Sequence, residues 1–178
     1  MNIQFATDEY NQALRAGQKE FRELSAAGQP THPAVLDELL PENGAHTVVD
    51  VGLIEIPSER IIGTKSAGRI AAFTPSFHPL LDPKSEFAAK WISLCAAHLG
   101  ETGITDPIVC YEYLGNFYVQ EGNKRVSVLR CFGAPRIPGQ VRRVMPAPSE
   151  DPRIRAYYEF LDFYKVSHLY TIQFRRPG

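Results

Sequence analysis

The chain lacks most of the features that mark metal-binding, secreted or membrane-spanning proteins. Its three cysteines lie singly in apolar segments, and its five histidines form no H-E-x-x-H motif, which argues against a built-in zinc site. No apolar run approaches membrane-spanning length, and the N-terminus has neither the basic start nor the apolar stretch of a secretory signal. These absences predict a cytoplasmic protein with reduced, buried thiols and no membrane contact.

A strong charge of either sign is also missing. The net charge is −1 over 178 residues, which argues against a protein that coats nucleic acid through its overall field. The basic residues are unevenly placed, however, and the stretch from Gly122 to Ser149 contains no acidic residue. Its six basic residues are Lys124, Arg125, Arg130, Arg136, Arg142 and Arg143. The sequence therefore predicts a locally positive region on a nearly neutral protein.

Hydrophobic periodicity predicts the order helix, strand, helix, hairpin, helix, strand, helix, with a short extra helix near the N-terminus. We expect an amphipathic first helix from Thr7 to Gly28 and a long Gly- and Pro-rich connection over residues 58–84. The other expected elements are a short helix over Pro33–Leu40, a strand over His46–Pro57, a helix capped by Asp82 and ended by Gly100, a hairpin turning at Gly115-Asn116, a helix ended by Gly133, the strand "IPGQVRRVM", the helix "RIRAYYEFLDFYKVS" and the strand "LYTIQF".

This pattern predicts an α+β domain with a small mixed sheet, a hairpin and flanking helices. Length favours one core, and we place it at residues 44–178, after a helical N-terminal extension over residues 1–43. The amphipathic first helix of that extension is expected to dock on another domain or subunit.

The segment "EGNKR" carries the clearest chemical signal, because it lies between the hairpin and the following helix. The first N–H groups of a helix lack intrahelical partners and lie at the positive end of its dipole, so they stabilise a nearby anion. Gly122 removes a side chain that would block approach, and the first turn begins with Asn123. Lys124 adds a point charge, and Arg125 adds a planar fork that suits two oxygens of one phosphate. We therefore predict phosphate binding here, against the alternative of a tight turn followed by a solvated helix start.

A second basic and glycine-rich segment, "GTKSAGR", begins at Gly63. Thr64, Lys65 and Arg69 give it a composition suited to wrapping phosphate oxygens. The two segments together are expected to clamp a polyphosphate from two sides.

The order of elements and the "YVQEGNKRVSVLRCFG" segment resemble the N-terminal domain of the ParB/sulfiredoxin superfamily, over roughly Thr47 to Val144. The resemblance implies that Gly122, Asn123, Lys124 and Arg125 contact the phosphates of CTP, or of ATP or ADP, with Mg²⁺ as a companion ion. Arg69 matches the arginine that ends the loop after the first strand in this family.

The chain departs from the family in three places. Sulfiredoxins have a catalytic cysteine where this chain has Asn123, and asparagine cannot form the covalent sulfur intermediate. The later helix lacks the E-N-x-x-R motif of ParB partition proteins, and no helix-turn-helix follows it. Sulfinic acid reduction is therefore excluded, and DNA clamping driven by CTP is not expected of this chain alone.

Three functional classes remain open from the sequence. The first is a nucleotide- or phosphate-binding module with a regulatory role. The sequence does not decide whether such a module forms a homodimer or is joined to an additional C-terminal domain. The second is a small-molecule kinase or nucleoside triphosphatase, with Glu121 or Glu55 as the candidate general base or magnesium ligand. The third is a DNA-binding or nuclease-like protein, which is not favoured because neither a recognition helix nor a broad basic surface is evident.

Overall fold

The computed structural model describes residues 3–42 and 45–167, and the expected strand "LYTIQF" lies outside them. The α+β class, with a mixed sheet, a hairpin and flanking helices, is confirmed. The elements in chain order are α1 (Ile3–Ala26), β1 (Ala34–Val35), α2 (Leu36–Leu39), β2 (His46–Pro57), a 3₁₀ helix (Ser58–Arg60), β3 (Ile61–Thr64), a second 3₁₀ helix (Ala67–Ala72), α3 (Glu86–His98), β4 (Ile108–Tyr113), β5 (Asn116–Glu121), α4 (Asn123–Cys131), β6 (Arg136–Pro146) and α5 (Pro152–Ser167).

The described strands form one six-stranded sheet in the order β1-β3-β5-β4-β6-β2. The hairpin pair β4 and β5 is antiparallel, as is the long pair β2 and β6, whereas β3 runs parallel to β5 and β4 runs parallel to β6. Thr64 at the end of β3 pairs with Val119 near the end of β5. The segments that leave these two strands therefore emerge at the same edge of the sheet, although more than fifty residues separate them in the chain.

Helix α1 begins at Ile3, four residues before the expected start at Thr7. The Thr7 hydroxyl donates to the carbonyl of Ile3 within the helix instead of capping it. The end at Gly28 is as expected: Gly28 has φ +66°, and the amide of Gln29 donates to the carbonyl of Leu24, which closes a Schellman motif.

The apolar face of α1 is occupied within the chain. Tyr10 packs edge to face on Trp91 of α3, with ring centroids 5.3 Å apart, and both side chains are fully buried. Strand β1, which also lies in the expected extension, pairs with β3. Residues 3–42 thus share a core and a sheet with the rest of the described chain.

The long connection expected over residues 58–84 is more ordered than the sequence suggests. It contains both 3₁₀ helices and β3, and β3 forms because the short run Ile61–Thr64 gains its hydrogen bonds from β5 and β1.

Helix α3 starts at Glu86 and not at Pro83, since the Ser85 hydroxyl oxygen accepts a hydrogen bond from the amide of Ala88. The hairpin turns at Leu114 and Gly115, both with positive φ, one residue earlier than expected.

The main core lies on one face of the sheet, beneath α4. Ile108, Phe117, Ile137 and Val141 are among its buried members. None of the helices within residues 3–42 and 45–167 is long and apolar enough to cross a membrane.

Candidate functional site

A cavity of about 950 Å³ opens where β3 and β5 end. The second 3₁₀ helix and the segment after it form one wall, α3 forms another, and the start of α4 forms the third. Its lining residues are Gly68, Arg69, Ala71, Ala72, Phe73, Leu81, Glu86, Phe87, Lys90, Ser93, Leu94, Gln120, Glu121, Gly122, Asn123, Lys124 and Arg125. Its size falls within the range of small-molecule sites.

Gly122 connects β5 to α4 in a conformation that only glycine adopts easily. Its φ is +101°, and a Cβ atom there would lie 2.7 Å from Cγ2 of Ile108. The sharp turn brings the first residues of α4 to the cavity directly after the sheet edge.

The first turn of α4 faces the cavity without a side-chain cap. The amides at the start of a helix lack intrahelical partners, so they are available to an anion. Within the described residues, Oδ1 of Asn123 is buried and has no hydrogen-bond partner. The helix start therefore retains unused polar groups beside the cavity.

Apart from Arg125, three cationic side chains from three different elements line the cavity. Arg69 comes from the second 3₁₀ helix, Lys90 from α3 and Lys124 from α4. Burial lowers the pKa of the Lys124 ammonium, and the positive charges of Arg69 and Lys90 lower it further, while Glu86 opposes the shift. Like charges held this close favour an anion between them.

Only one of these cations has an acidic partner among the residues described. Lys90 forms an ion pair with Glu86 one helical turn away, whereas Arg69 and Lys124 have no carboxylate within salt-bridge distance. The Lys124 ammonium lies 5.2 Å from the ring centroid of Phe87, which is a weaker contact than an ion pair.

Two carboxylates also line the cavity, Glu86 and Glu121. The sequence indicated Glu121 but not Glu86, because α3 lies 35 residues upstream of the basic segment and only the tertiary fold brings them together. Glu121 is exposed and forms no ion pair with a described residue, so the structural pairing that such a carboxylate usually makes is absent there.

Arg125 lines the cavity and also forms hydrogen bonds with the backbone of another segment. Its guanidinium donates hydrogen bonds to the carbonyls of Asp106 and Pro107, at 3.1 and 2.7 Å. These bonds fix the segment that leads into β4, while the side chain still contributes to the lining. Arg125 thus holds the segment before β4 in place and also adds a positive charge to the cavity lining.

Two residues of the "GTKSAGR" segment lie away from the cavity lining. Thr64 is buried and donates to the carbonyl of Ser66, and Lys65 forms an ion pair with Asp37 at the other side of β3. The Lys65 ammonium also lies 5.4 Å from the ring centroid of Tyr111. Of the expected two-sided clamp, the structure therefore brings Arg69 to the helix start, but not Thr64 or Lys65.

Similarity to known proteins is found among solved structures. No family model matches the chain, and no curated protein matches it significantly. Among solved structures, the chain is similar to sulfiredoxin from Arabidopsis thaliana, at 18% sequence identity and a TM-score of 0.36, over 60% of this chain and 96% of that chain. At this level the similarity concerns the fold alone and says nothing about ligands or chemistry.

Proposed function

We propose that the cavity binds the phosphate groups of a nucleotide, or of another phosphorylated ligand, and that the protein acts as a binding or regulatory module. The observation that carries the proposal is the convergence of Arg69, Lys90 and Lys124 on the uncapped first turn of α4. Each polyphosphate oxygen would meet a cation or a helix-start amide, and both kinds of contact are stronger than neutral hydrogen bonds.

The same cavity has an apolar side that suits the rest of a nucleotide. Its apolar lining residues are Ala71, Phe73, Leu81, Phe87 and Leu94. Ligand sites commonly combine such a surface with a few placed polar groups. The arrangement is therefore compatible with a base or sugar beside the phosphates. CTP, ATP and ADP are the first ligands to test.

A small-molecule kinase or nucleoside triphosphatase is the second candidate, and the two carboxylates favour it. Mg²⁺ is usually held by one or two carboxylates together with substrate phosphates, and Glu86 and Glu121 both line the cavity. Glu121 is the better candidate for a general base or metal ligand, because Glu86 is paired with Lys90.

Glu121→Gln separates the two candidates. Nucleotide affinity, measured by calorimetry with Mg²⁺, and phosphate release are compared between wild type and variant. For a binding module we expect little or no turnover in wild type and nearly unchanged affinity in the variant, since an exposed carboxylate contributes little to binding. Turnover in wild type that falls roughly a hundredfold or more in the variant would show that the protein is an enzyme.

A further inference from the structure

We propose that helix α1 positions this cavity, through residues that do not line it. The inference rests on the proposed function, since it concerns the same anion site. Tyr10, Gly17 and Glu20 of α1 hold the segment over residues 73–81, which supplies an apolar wall of the cavity and follows directly on the 3₁₀ helix that carries Arg69.

The carboxylate of Glu20 makes the most extensive of these contacts. One oxygen accepts hydrogen bonds from the backbone amide and the hydroxyl of Ser76, at 3.2 and 2.7 Å, and the other lies 2.8 Å from Nδ1 of His78. Burial alone would raise the pKa of the Glu20 carboxyl, but the hydrogen bonds from His78, Thr74 and Ser76 hold it below its ordinary value. The carboxylate is thus fixed in its ionised form against the segment.

Tyr10 and Gly17 make two further contacts with the same segment. The Tyr10 hydroxyl donates to the carbonyl of Leu81 at 2.6 Å, and its side chain is fully buried. A Cβ atom at position 17 would lie 2.5 Å from the carbonyl oxygen of Pro79, so only glycine allows this approach. Residues 10, 17 and 20, which lie on one face of α1 over about three turns, therefore contact residues 76–81.

The segment contains a strained residue, so its conformation depends on the contacts around it. Phe77 has φ +63° and a fully buried ring, and a positive φ at a bulky residue persists only where the surroundings impose it. The amide of Leu80 donates to the carbonyl of Ala72, the last residue of the second 3₁₀ helix. If the contacts with α1 are lost and the segment moves, Phe73 and Leu81, which line the cavity, move with it. The 3₁₀ helix that carries Arg69 is displaced as well.

The test uses Glu20→Gln and Tyr10→Phe, which remove polar contacts without removing the side chain, and inorganic pyrophosphate as the probe. Glu23→Gln is the control, because Glu23 lies on the exposed face of α1 and, among the residues that the structure describes, forms an ion pair only with Lys19. Calorimetry well below the unfolding temperature is expected to show about five- to tenfold weaker binding for the first two variants, since apparent affinity falls with the fraction of molecules in the binding-competent state. The control should bind like wild type.

Two readouts distinguish positioning from a general loss of stability. Hydrogen exchange should increase over residues 73–81, and the effect of Glu20→Gln should shrink in an Arg69→Gln background, because the two changes act on one contact. Lower unfolding temperatures with unchanged pyrophosphate affinity would overturn the positioning role while leaving the proposed function in place. If wild type itself fails to bind pyrophosphate, the proposed function fails, and the positioning role fails with it.

Discussion

Glu86 is one of the two carboxylates in the cavity lining whose charge opposes an anion there. It lines the cavity in the first turn of α3, and the hydrogen bond and positive charge of Lys90 hold its pKa below the ordinary value. It also interacts electrostatically with Lys124 and Arg69. An incoming phosphate must therefore compete with an ionised carboxylate for the same three cations.

Removing that charge should strengthen anion binding. We expect Glu86→Gln to raise pyrophosphate affinity about two- to fivefold in calorimetry at low ionic strength, the effect of one exposed charge. Asp162→Asn is the control, because this exposed carboxylate of α5 lies outside the cavity lining. A Glu86→Gln variant that binds magnesium-ADP more weakly than wild type would instead identify Glu86 as a metal ligand.

At the scale of single elements, α5 is attached to the sheet by a buried carboxylate. Glu112 of β4 is only 1% exposed, and it accepts hydrogen bonds from the Tyr157 hydroxyl at 2.6 Å, from the Arg143 guanidinium at 2.9 Å and from the amide of Gly115 at 3.1 Å. A buried carboxylate is costly unless it is paired in this way. The group thus connects α5, β6 and the hairpin turn.

Tyr157→Phe should destabilise the protein, because it removes one donor from the buried Glu112 carboxylate. We expect a loss of about 1–3 kcal/mol in the free energy of unfolding, measured by urea denaturation with Trp91 fluorescence. Tyr113→Phe is a matched control, since the Tyr113 hydroxyl makes no hydrogen bond with a described residue. Equal stability of the two variants would show that the Tyr157 contact contributes nothing.

The elements with strong periodicity were predictable from sequence, whereas those that depend on distant pairing were not. Strand β2 has the expected bounds, and α4 and β6 lie where they were expected. Strand β3 was missed because its four residues, one of them Gly63, become a strand only by pairing with β5 and β1. The start of α3 was misplaced because Asp82 and Ser85 are both good capping residues, and only the structure shows that Ser85 caps.

Among the residues that line the cavity, the sequence indicated Arg69 and the continuous segment that begins at Glu121, but no residue of α3. Gly122, Lys124 and Arg125 follow from a strand, a glycine and a basic pair before a helix. Glu86 and Lys90 could not be found in this way, because the fold brings α3 to the start of α4 through contacts that no local pattern encodes. The ion pair between Lys65 and Asp37 also depends on the tertiary fold, so the composition of "GTKSAGR" could not predict it.

At the scale of the whole molecule, the parallel pair β3 and β5 is what assembles the cavity. Their neighbouring ends bring the 3₁₀ helix with Arg69 beside the first turn of α4. Helix α1 holds the segment that follows this 3₁₀ helix, through its contacts with residues 76–81. The three cysteines lie outside the cavity lining, with Cys95 and Cys110 buried and Cys131 partly buried. Burial raises the pKa of Cys95 to about 11 and that of Cys110 and Cys131 to about 12.

The thiols should therefore react slowly in the native protein. At pH 8 the thiolate fraction of each cysteine is small, and the thiolate is the reactive form. We expect labelling by a colorimetric thiol reagent to be slow in buffer and rapid in denaturant, where all three thiols become accessible. Rapid labelling of the native protein at all three cysteines would contradict this expectation, which the structure supports by full burial for Cys95 and Cys110 and by partial burial for Cys131.

The most direct test of the central claim is a calorimetric titration of ADP into wild type, Lys124→Gln and Lys65→Gln. Lys124 lines the cavity at the helix start, whereas Lys65 is held by Asp37 outside the lining. We expect wild type to bind, Lys124→Gln to lose about 1.5–3 kcal/mol of binding free energy, the range for a hydrogen bond to a charged group, and Lys65→Gln to bind like wild type. No binding by wild type, or equal losses in the two variants, would contradict the assignment of the cavity as a phosphate site.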